Sequence, residues 1–143
     1  MPAEKTILLV DDNVVQAAIR QTILKRAGYF VVTALDPKRA LAMLVEDSLP
    51  SEVNLVITDH VMPGMSGTKF VSELRMSFPK LPVLVVTGML EAGEQYLGLD
   101  VTFRAKPLPP EELLGCVRTM LLDPRPPQLP SSGRAGEIVQ AAR

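Results

Sequence analysis

The most constraining feature of this sequence is a short apolar run that ends in a single aspartate. The run, Leu-Val-Ile-Thr at 55–58, leads into Asp59, and a turn of sequence Met-Pro-Gly-Met-Ser-Gly begins at Met62. An apolar run of this length, bounded by turn residues, is typical of a buried strand in a parallel sheet. Open α/β sheets place their ligand sites at the carboxyl ends of strands, so Asp59 is a candidate functional residue. On its own, an isolated aspartate more often simply opens a surface loop.

Similar apolar runs alternate with segments of helical periodicity along the chain. Strands are predicted at 6–10, 30–34, 54–58, 83–86 and 101–105. Helices are predicted to begin near residues 13, 36, 66, 90 and 109. The last strand is less apolar than the others, which favours a position at the sheet edge. This alternation predicts an α/β domain with a parallel sheet and right-handed crossovers.

Helical spacing also predicts which side chains are buried. In the first helix, Val14, Ile19 and Leu24 belong to the apolar stripe, and Arg20 is predicted on the solvent side. In the last helix, Leu113 and its apolar neighbours form one face, and Cys116 beside them is interpreted as a packing residue.

Composition and charge exclude several classes of protein. The chain has 143 residues, of which 47% are hydrophobic and 22% charged, as in one globular domain. A net charge of −1 offers no basic surface for nucleic acid. The single cysteine excludes an internal disulfide framework and fits a reducing compartment. The sequence has neither a membrane-span run nor a signal pattern, so we expect a cytoplasmic protein without a membrane partner.

The composition changes after Leu122. Residues 123–143 are rich in Pro, Ser, Gly and Ala, which is typical of a linker or tail, so the predicted domain covers residues 1–122. This segment shows no helix-turn-helix pattern, and we therefore expect no direct DNA binding.

Polar residues at the predicted strand ends form a chemically coherent set. Asp11 and Asp12 follow the first strand, close to Asp59 on a neighbouring strand, and such a carboxylate cluster requires a compensating cation such as Mg²⁺. Thr87 ends the fourth strand and Lys106 follows the fifth, where they supply a hydroxyl and a positive charge. Each residue alone also fits a plain helix start, turn or solvated loop. Their joint placement at strand ends, in order, indicates a phosphoryl-transfer site.

This set resembles the receiver domain of response regulators from bacterial two-component signalling. The resemblance covers roughly residues 6–122. It is carried by the segments Ile7–Asn13, Asp59–Gly67, Val86–Gly88 and Phe103–Pro107. It implies a doubly wound, flavodoxin-like fold: a five-stranded parallel sheet of order 2-1-3-4-5 with five helices.

The resemblance also implies roles at the site. Asp59 would accept a phosphoryl group from a histidine kinase or a histidine phosphotransfer protein. Asp12, Asp59 and the backbone carbonyl of Val61 would bind Mg²⁺, with Asp11 acting through water. Such a protein is a phosphoacceptor regulator rather than an enzyme with a separate substrate.

Further implied roles concern the switch. Thr87 and Lys106 would contact the phosphoryl oxygens, and Phe103 matches an aromatic residue that moves inward on activation. The Lys106–Pro107 peptide is a candidate cis bond. Output would then pass to a downstream protein or to a homodimer formed through the fourth helix and fifth strand.

Three features depart from the usual pattern of the family. The interval from Thr87 to Lys106 is about one helical turn short, so the fourth helix is expected to be abbreviated or irregular. Val61 and Met89 stand at the positions that tune phosphoryl lifetime, and their apolar side chains predict a long-lived phosphoaspartate. His60, the single histidine, is predicted to be an ordinary loop side chain.

Two other readings compete with a phosphorylation switch. A pseudo-receiver that acts only as an interaction module has no physical need for the intact set of carboxylates, Thr87 and Lys106. A small α/β enzyme or cofactor binder is disfavoured because no glycine-rich phosphate loop follows the first strand. The spacing of Asp11 and Asp12 also differs from the Asp-x-Asp nucleophile of hydrolases.

Overall fold

The fold is a five-stranded parallel sheet covered by helices on both faces. A computed structural model describes residues 5–46, 49 and 52–122, so the predicted tail at 123–143 lies outside the described residues. The strands are β1 Thr6–Val10, β2 Phe30–Ala34, β3 Leu55–Asp59, β4 Val83–Thr87 and β5 Thr102–Ala105. The helices are α1 Val14–Arg26, α2 Pro37–Val45, α3 Gly67–Ser77, α4 Pro110–Leu122 and a 3₁₀ segment, Leu90–Tyr96. Among the described helices, none is both long and apolar enough to span a membrane.

The sheet order is β2-β1-β3-β4-β5, as the resemblance implied, with β5 at an edge. Every residue of β1, β3 and β4 is buried, because helices cover both faces of these central strands. In the parallel register Asp59 lies opposite Val86, and Thr87 lies opposite Ala105. The residues at the carboxyl ends of the strands therefore emerge along one edge of the domain.

Successive residues of each strand point to opposite faces, and they form two separate core layers. Leu8, Val56 and Val85 join the layer that includes Phe70 of α3 and Tyr96 of the 3₁₀ segment. The opposite layer combines β1, β3 and β4 residues with apolar residues of α1 and α4. Its fully buried members include Ile7, Leu9, Leu24, Ile57, Leu84 and Val117. Cys116 packs against this second layer, and burial raises the pKa of its thiol, which suits a packing role.

Side-chain caps fix where three helices begin. The side chains of Asn13, Asp36 and Ser66 each accept a hydrogen bond from a backbone N–H in the first turn of the following helix. The prediction for the fourth helix is confirmed, because the chain forms only a seven-residue 3₁₀ segment there. Within the part of the chain that the structure describes, the helices are thus four α-helices and this segment, rather than five full α-helices.

The predicted apolar face of α1 is confirmed at Leu24 but wrong at three other positions. Val14 and Ile19 are 63% and 57% exposed, whereas Arg20 is only 8% exposed. The buried positions are Ala17, Arg20 and Leu24, which share one side of the helix at intervals of three and four residues. Arg20 occupies a core-facing position because it meets a buried carboxylate, as the site geometry shows below.

Arg75 of α3 joins two loops at the end of the sheet opposite the predicted site. Its guanidinium donates to the carbonyl oxygens of Phe78 (2.9 Å) and Leu81 (2.6 Å) in the loop before β4. It also donates to those of Leu99 (2.7 Å) and Asp100 (2.8 Å) before β5. The planar fork of an arginine allows one side chain to hold both loops.

Arg75→Met is expected to lower the free energy of unfolding by about 2–3 kcal/mol, because it removes charged donors from several partly buried carbonyls. Urea unfolding monitored by circular dichroism measures this change. Arg118→Met, which alters an exposed arginine on α4, is the matched control and should change stability by less than about 0.5 kcal/mol. Equal urea midpoints for the two variants would contradict this role of Arg75.

Candidate functional site

The carboxyl edge of the sheet gathers the predicted site residues. Asp59 is the last residue of β3 and Thr87 the last of β4, while Asp11 and Lys106 immediately follow β1 and β5. Asp12 is exposed beside them, whereas Asp11, Asp59 and Thr87 are buried. Parallel strands end at the same edge, which explains why residues far apart in sequence converge.

Asp59 is a buried carboxylate with a defined partner for each oxygen. Lys106 Nζ donates to Asp59 Oδ2 at 2.8 Å, and the backbone N–H of His60 donates to Oδ1 at 2.7 Å. The side chain of Asp59 is 10% exposed and that of Lys106 is 27% exposed. The carboxylate is therefore held in a fixed orientation but can still be reached by a small group.

The β4 and β5 ends are tied together beside this pair. The backbone N–H of Lys106 donates to the carbonyl oxygen of Thr87 at 2.9 Å. Thr87 Oγ1 accepts a hydrogen bond from the backbone N–H of Met89 at 3.1 Å. The Thr87 hydroxyl thus organises the turn that leads into the 3₁₀ segment.

Asp11 is fully buried, and protein donors engage both of its oxygens. The backbone N–H of Asn13 donates to Oδ1 at 2.9 Å, and Gln16 Nε2 donates to Oδ2 at 2.6 Å. Arg20 Nη1 lies 3.4 Å from Oδ2 and forms an ion pair with Asp11. Asp11 is consequently a supporting carboxylate, which leaves Asp12 and Asp59 as the accessible acidic groups.

Sequence reasoning missed Arg20 as a member of this site. Burial lowers the pKa of its guanidinium, while the charges of Asp11 and Asp59 act in the opposite direction. The acidic edge, formed by Asp11, Asp12 and Asp59, therefore also contains the cationic side chains of Arg20 and Lys106. These offset part of the repulsion between the carboxylates. Its spacing is the signal that indicates a buried position: Arg20 lies three residues after Ala17 and four before Leu24, on the same side of α1.

Arg20→Met is expected to strengthen Mg²⁺ binding by roughly 3- to 10-fold, because it removes a positive charge from the place where we expect the cation to bind. Calorimetric titration with MgCl₂ measures the affinity. Arg39→Met, on the exposed side of α2, serves as the control and should change it by less than twofold. Weaker Mg²⁺ binding in Arg20→Met would show instead that Arg20 acts mainly by orienting Asp11.

His60 departs from its predicted role as an ordinary loop side chain. It is 6% exposed, and its Nδ1 lies 2.7 Å from the hydroxyl of Tyr96. Tyr96 in turn packs against Phe103, with ring centroids 5.7 Å apart. Tyr96 was not singled out from the sequence, because nothing in a short, weakly periodic segment indicates a buried aromatic partner for a histidine 36 positions away.

Comparison with known families decides the identity of this arrangement. Residues 7–118 match the sequence model of the "Response regulator receiver domain". The chain belongs to this family. The receiver fold therefore explains why acidic residues, a threonine and a lysine meet at one edge of the sheet.

Curated relatives of this receiver include longer proteins. It is 31% identical over 140 residues to a probable transcriptional regulator, ycf27, of Cyanophora paradoxa, which covers 96% of the chain and 56% of that protein. It is 32% identical over 120 residues to the alkaline phosphatase synthesis transcriptional regulatory protein PhoP of Bacillus subtilis, covering 82% of the chain and 48% of PhoP. The chain thus spans about half the length of these relatives.

Solved structures give the same fold. The chemotaxis response regulator CheY4 of Vibrio cholerae aligns with a TM-score of 0.73 at 30% identity, over 83% of the chain and all (100%) of CheY4. The response regulator TrrA of Thermotoga maritima, solved in complex with Mg²⁺ and beryllium fluoride, aligns with a TM-score of 0.73 at 26% identity. That alignment covers 82% of the chain and 99% of TrrA.

The donor set of this receiver suits Mg²⁺. Within residues 5–46, 49 and 52–122, no three His, Cys, Asp or Glu side chains converge into a closed metal cluster. Mg²⁺ does not need one, because it keeps several waters and uses one or two carboxylates. Exposed Asp12, Asp59 and the backbone carbonyl of Val61 would hold the ion, and Asp11, whose oxygens are already engaged, would act through water.

The remaining predicted positions are Phe103, within β5, and the peptide bond that follows Lys106. Phe103 is partly buried, and a Cβ atom at Gly93 of the 3₁₀ segment would lie 3.7 Å from its ring. The Lys106–Pro107 peptide is cis, which the resemblance implied. Of the residues named for the switch, Thr87 thus ends β4 and Phe103 lies on the neighbouring strand β5.

Proposed function

We propose that this receiver accepts a phosphoryl group on Asp59, with Mg²⁺, from a histidine kinase or a histidine phosphotransfer protein. The observation that carries the proposal is the buried carboxylate of Asp59, held at 2.8 Å by the partly exposed Lys106 beside exposed Asp12. A purely structural ion pair would not need an accessible second carboxylate at the same strand ends.

The chain's own residues supply most of the chemistry. A carboxylate oxygen of Asp59 attacks phosphorus, the bond from phosphorus to the donor's imidazole nitrogen breaks, and that nitrogen takes a proton. Lys106, already bonded to Asp59, would stabilise negative charge on the transferred oxygens. Bound Mg²⁺ would neutralise further charge on the phosphoryl group. Thr87 would donate its hydroxyl to a phosphoryl oxygen.

The output we propose is protein docking or dimerisation through the surface of the 3₁₀ segment and β5. Support comes from the position of β5 at the sheet edge and from apolar side chains nearby: Leu97 is 80% exposed and Met89 is 40% exposed. Phosphorylation adds charge and acceptor oxygens next to Thr87 and Lys106, which precede and follow this surface in sequence. Two relatives are named as transcriptional regulators, so the proposed docking would act in the control of transcription.

Treatment with acetyl phosphate and Mg²⁺ tests the proposal. Intact-mass spectrometry should show one added phosphoryl group on the wild type and none on Asp59→Asn, whose amide is a poor nucleophile. Asp36→Asn is the matched control, because Asp36 is a helix cap on α2, and it should be labelled like the wild type. Absence of labelling in the wild type would favour the pseudo-receiver. A change in size with beryllium fluoride would identify dimerisation as an output.

The phosphoaspartate is expected to persist for minutes or longer rather than seconds. Val61 is 60% exposed beside the site and Met89 is 40% exposed, and neither side chain can orient an attacking water. Val61→Asn should shorten the half-life several-fold, because an amide can hydrogen-bond that water. Val45→Asn, which changes a 63% exposed valine on α2, should leave the half-life unchanged. A half-life of seconds in the wild type, followed by mass spectrometry, would contradict the expectation.

A further inference from the structure

His60 is hydrogen-bonded to the proposed phosphoacceptor, Asp59, through its main chain and to the 3₁₀ segment through its ring. Its backbone N–H donates to Asp59 Oδ1 at 2.7 Å, and its carbonyl oxygen accepts from the backbone N–H of Gly67 at 2.7 Å. Its ring Nδ1 lies 2.7 Å from the Tyr96 hydroxyl. A movement of the His60 backbone would therefore shift both the Asp59 carboxylate and the 3₁₀ segment.

Neighbouring residues form the buried site that holds the Tyr96 side chain. Tyr96 is 4% exposed, and its ring meets that of His60 edge-on, with centroids 5.5 Å apart. A Cβ atom at Gly67 would overlap the Tyr96 hydroxyl, so the glycine leaves the space that this hydroxyl occupies. Burial raises the pKa of Tyr96 to about 12, so the phenol keeps its proton at neutral pH and can donate it to His60.

A second set of contacts returns from Tyr96 to Asp59. Tyr96 packs against Phe103 at 5.7 Å between ring centroids, and Phe103 lies on β5, the strand that leads into Lys106. Lys106 Nζ bonds Asp59 Oδ2, the oxygen that His60 does not contact. Both oxygens of the phosphoacceptor are thus linked to Tyr96, one through His60 and one through β5.

We propose that Tyr96 is a positioning residue for the phosphoacceptor, acting through its hydrogen bond to His60, and that this bond couples Asp59 to the 3₁₀ segment. The inference rests on the proposed phosphorylation of Asp59 and deepens it. Tyr96 holds the His60 backbone so that its N–H orients the Asp59 carboxylate for phosphoryl binding. Because coupling between two sites is reciprocal, a phosphoryl group on Asp59 also changes the environment of Tyr96.

Fluorine NMR on the intact chain tests this coupling without any change at the site. The chain has two tyrosines, Tyr29 and Tyr96, so labelling with 3-fluorotyrosine gives two signals that Tyr29→Phe assigns. Addition of beryllium fluoride to the Mg²⁺-bound protein should shift the Tyr96 signal and leave the Tyr29 signal in place. Tyr29 is a suitable internal control because it packs against the opposite core layer. An unchanged Tyr96 signal in protein that binds beryllium fluoride overturns the proposal.

Affinity measurements separate positioning from general packing. Tyr96→Phe keeps the ring and removes the hydroxyl, and it should weaken beryllium fluoride binding roughly 3- to 10-fold at saturating Mg²⁺. Tyr29→Phe should change the affinity by less than twofold. His60→Leu should resemble Tyr96→Phe, and the double variant should be no weaker than either single variant, because both remove the same bond. His60→Asn, whose amide can replace Nδ1, should restore affinity to within about twofold of the wild type.

The outcomes distinguish this inference from the proposed function. A wild type that binds no beryllium fluoride and is not labelled on Asp59 refutes both. Normal binding and labelling with additive effects of His60→Leu and Tyr96→Phe, or with equal affinities for Tyr96→Phe and Tyr29→Phe, refutes the positioning role alone. A shifted Tyr96 signal together with a non-additive double variant establishes it.

Discussion

Replacement of Gly67 by alanine is expected to lower the free energy of unfolding by about 3 kcal/mol or more, the upper range for an overpacked site. A Cβ atom there would lie 2.6 Å from the carbonyl oxygen of Asp59 and 2.9 Å from Cα of His60, and it would also overlap the Tyr96 hydroxyl. Two of these neighbours are main-chain atoms, so relief requires the β3–α3 connection to move. That movement displaces Asp59, the proposed phosphoacceptor, and we therefore expect its phosphorylation to be lost together with stability.

Gly115→Ala is the matched control for this prediction. Gly115 lies within α4, and a Cβ atom there meets nothing within 4 Å. Alanine should raise stability by about 0.5–1 kcal/mol, because glycine is a poor residue in a helix interior. Urea unfolding of the two variants should therefore shift in opposite directions. A loss in Gly67→Ala no larger than about 0.5 kcal/mol would show that the connection is less rigid than its contacts indicate.

The fold was predictable because its signals are local and repeated. The apolar runs at 6–10 and 30–34 coincide with β1 and β2, and the helix starts predicted near residues 13, 36 and 66 coincide with caps in the structure. Strand burial on both faces gives near-continuous hydrophobic runs that do not depend on side-chain partners. The sheet order followed from the resemblance, and the structure confirms it.

Pairings between distant polar residues were not predictable in the same way. The sequence predicts Arg20 in solvent because charged residues are rarely buried unless they are paired, and in the structure Arg20 is paired with Asp11. The sequence predicts a loop side chain for His60 because no neighbour in the sequence indicates its partner, Tyr96, which lies in the connection between β4 and β5. Periodicity ranks residues by hydrophobicity alone, so it carries no information about which polar group another one meets.

The strand ends were informative for a different reason. Asp59, Thr87 and Lys106 could be grouped from the sequence because a parallel sheet brings its carboxyl ends to one edge whatever the loops do. The groups that orient them could not be inferred, since those contacts depend on the 3₁₀ segment and on α1. Topology thus predicts which candidate site residues meet, whereas tertiary packing decides how they are held.

Lys106→Met is expected to have opposite effects on the two ligands of the site. Lys106 donates a charge-assisted hydrogen bond to Asp59 at 2.8 Å and would offer the same charge to a phosphoryl oxygen. Its removal should weaken beryllium fluoride binding roughly 10- to 100-fold at saturating Mg²⁺, which corresponds to the loss of one bond to a charged group. Mg²⁺ alone should bind roughly 3- to 10-fold more tightly, because a competing cation has left the acidic edge.

Calorimetric titrations with Mg²⁺, and with beryllium fluoride at saturating Mg²⁺, separate these effects. Lys69→Met is the control: its ammonium lies 3.7 Å from Glu73 in an exposed pair on α3, so both affinities should stay within about twofold of the wild type. If Lys106→Met weakens the binding of both Mg²⁺ and beryllium fluoride, the lysine mainly holds the loop after β5 in place. Opposite changes would mean that it acts as a charge at the site, which is the behaviour required of a residue that recognises the phosphoryl group.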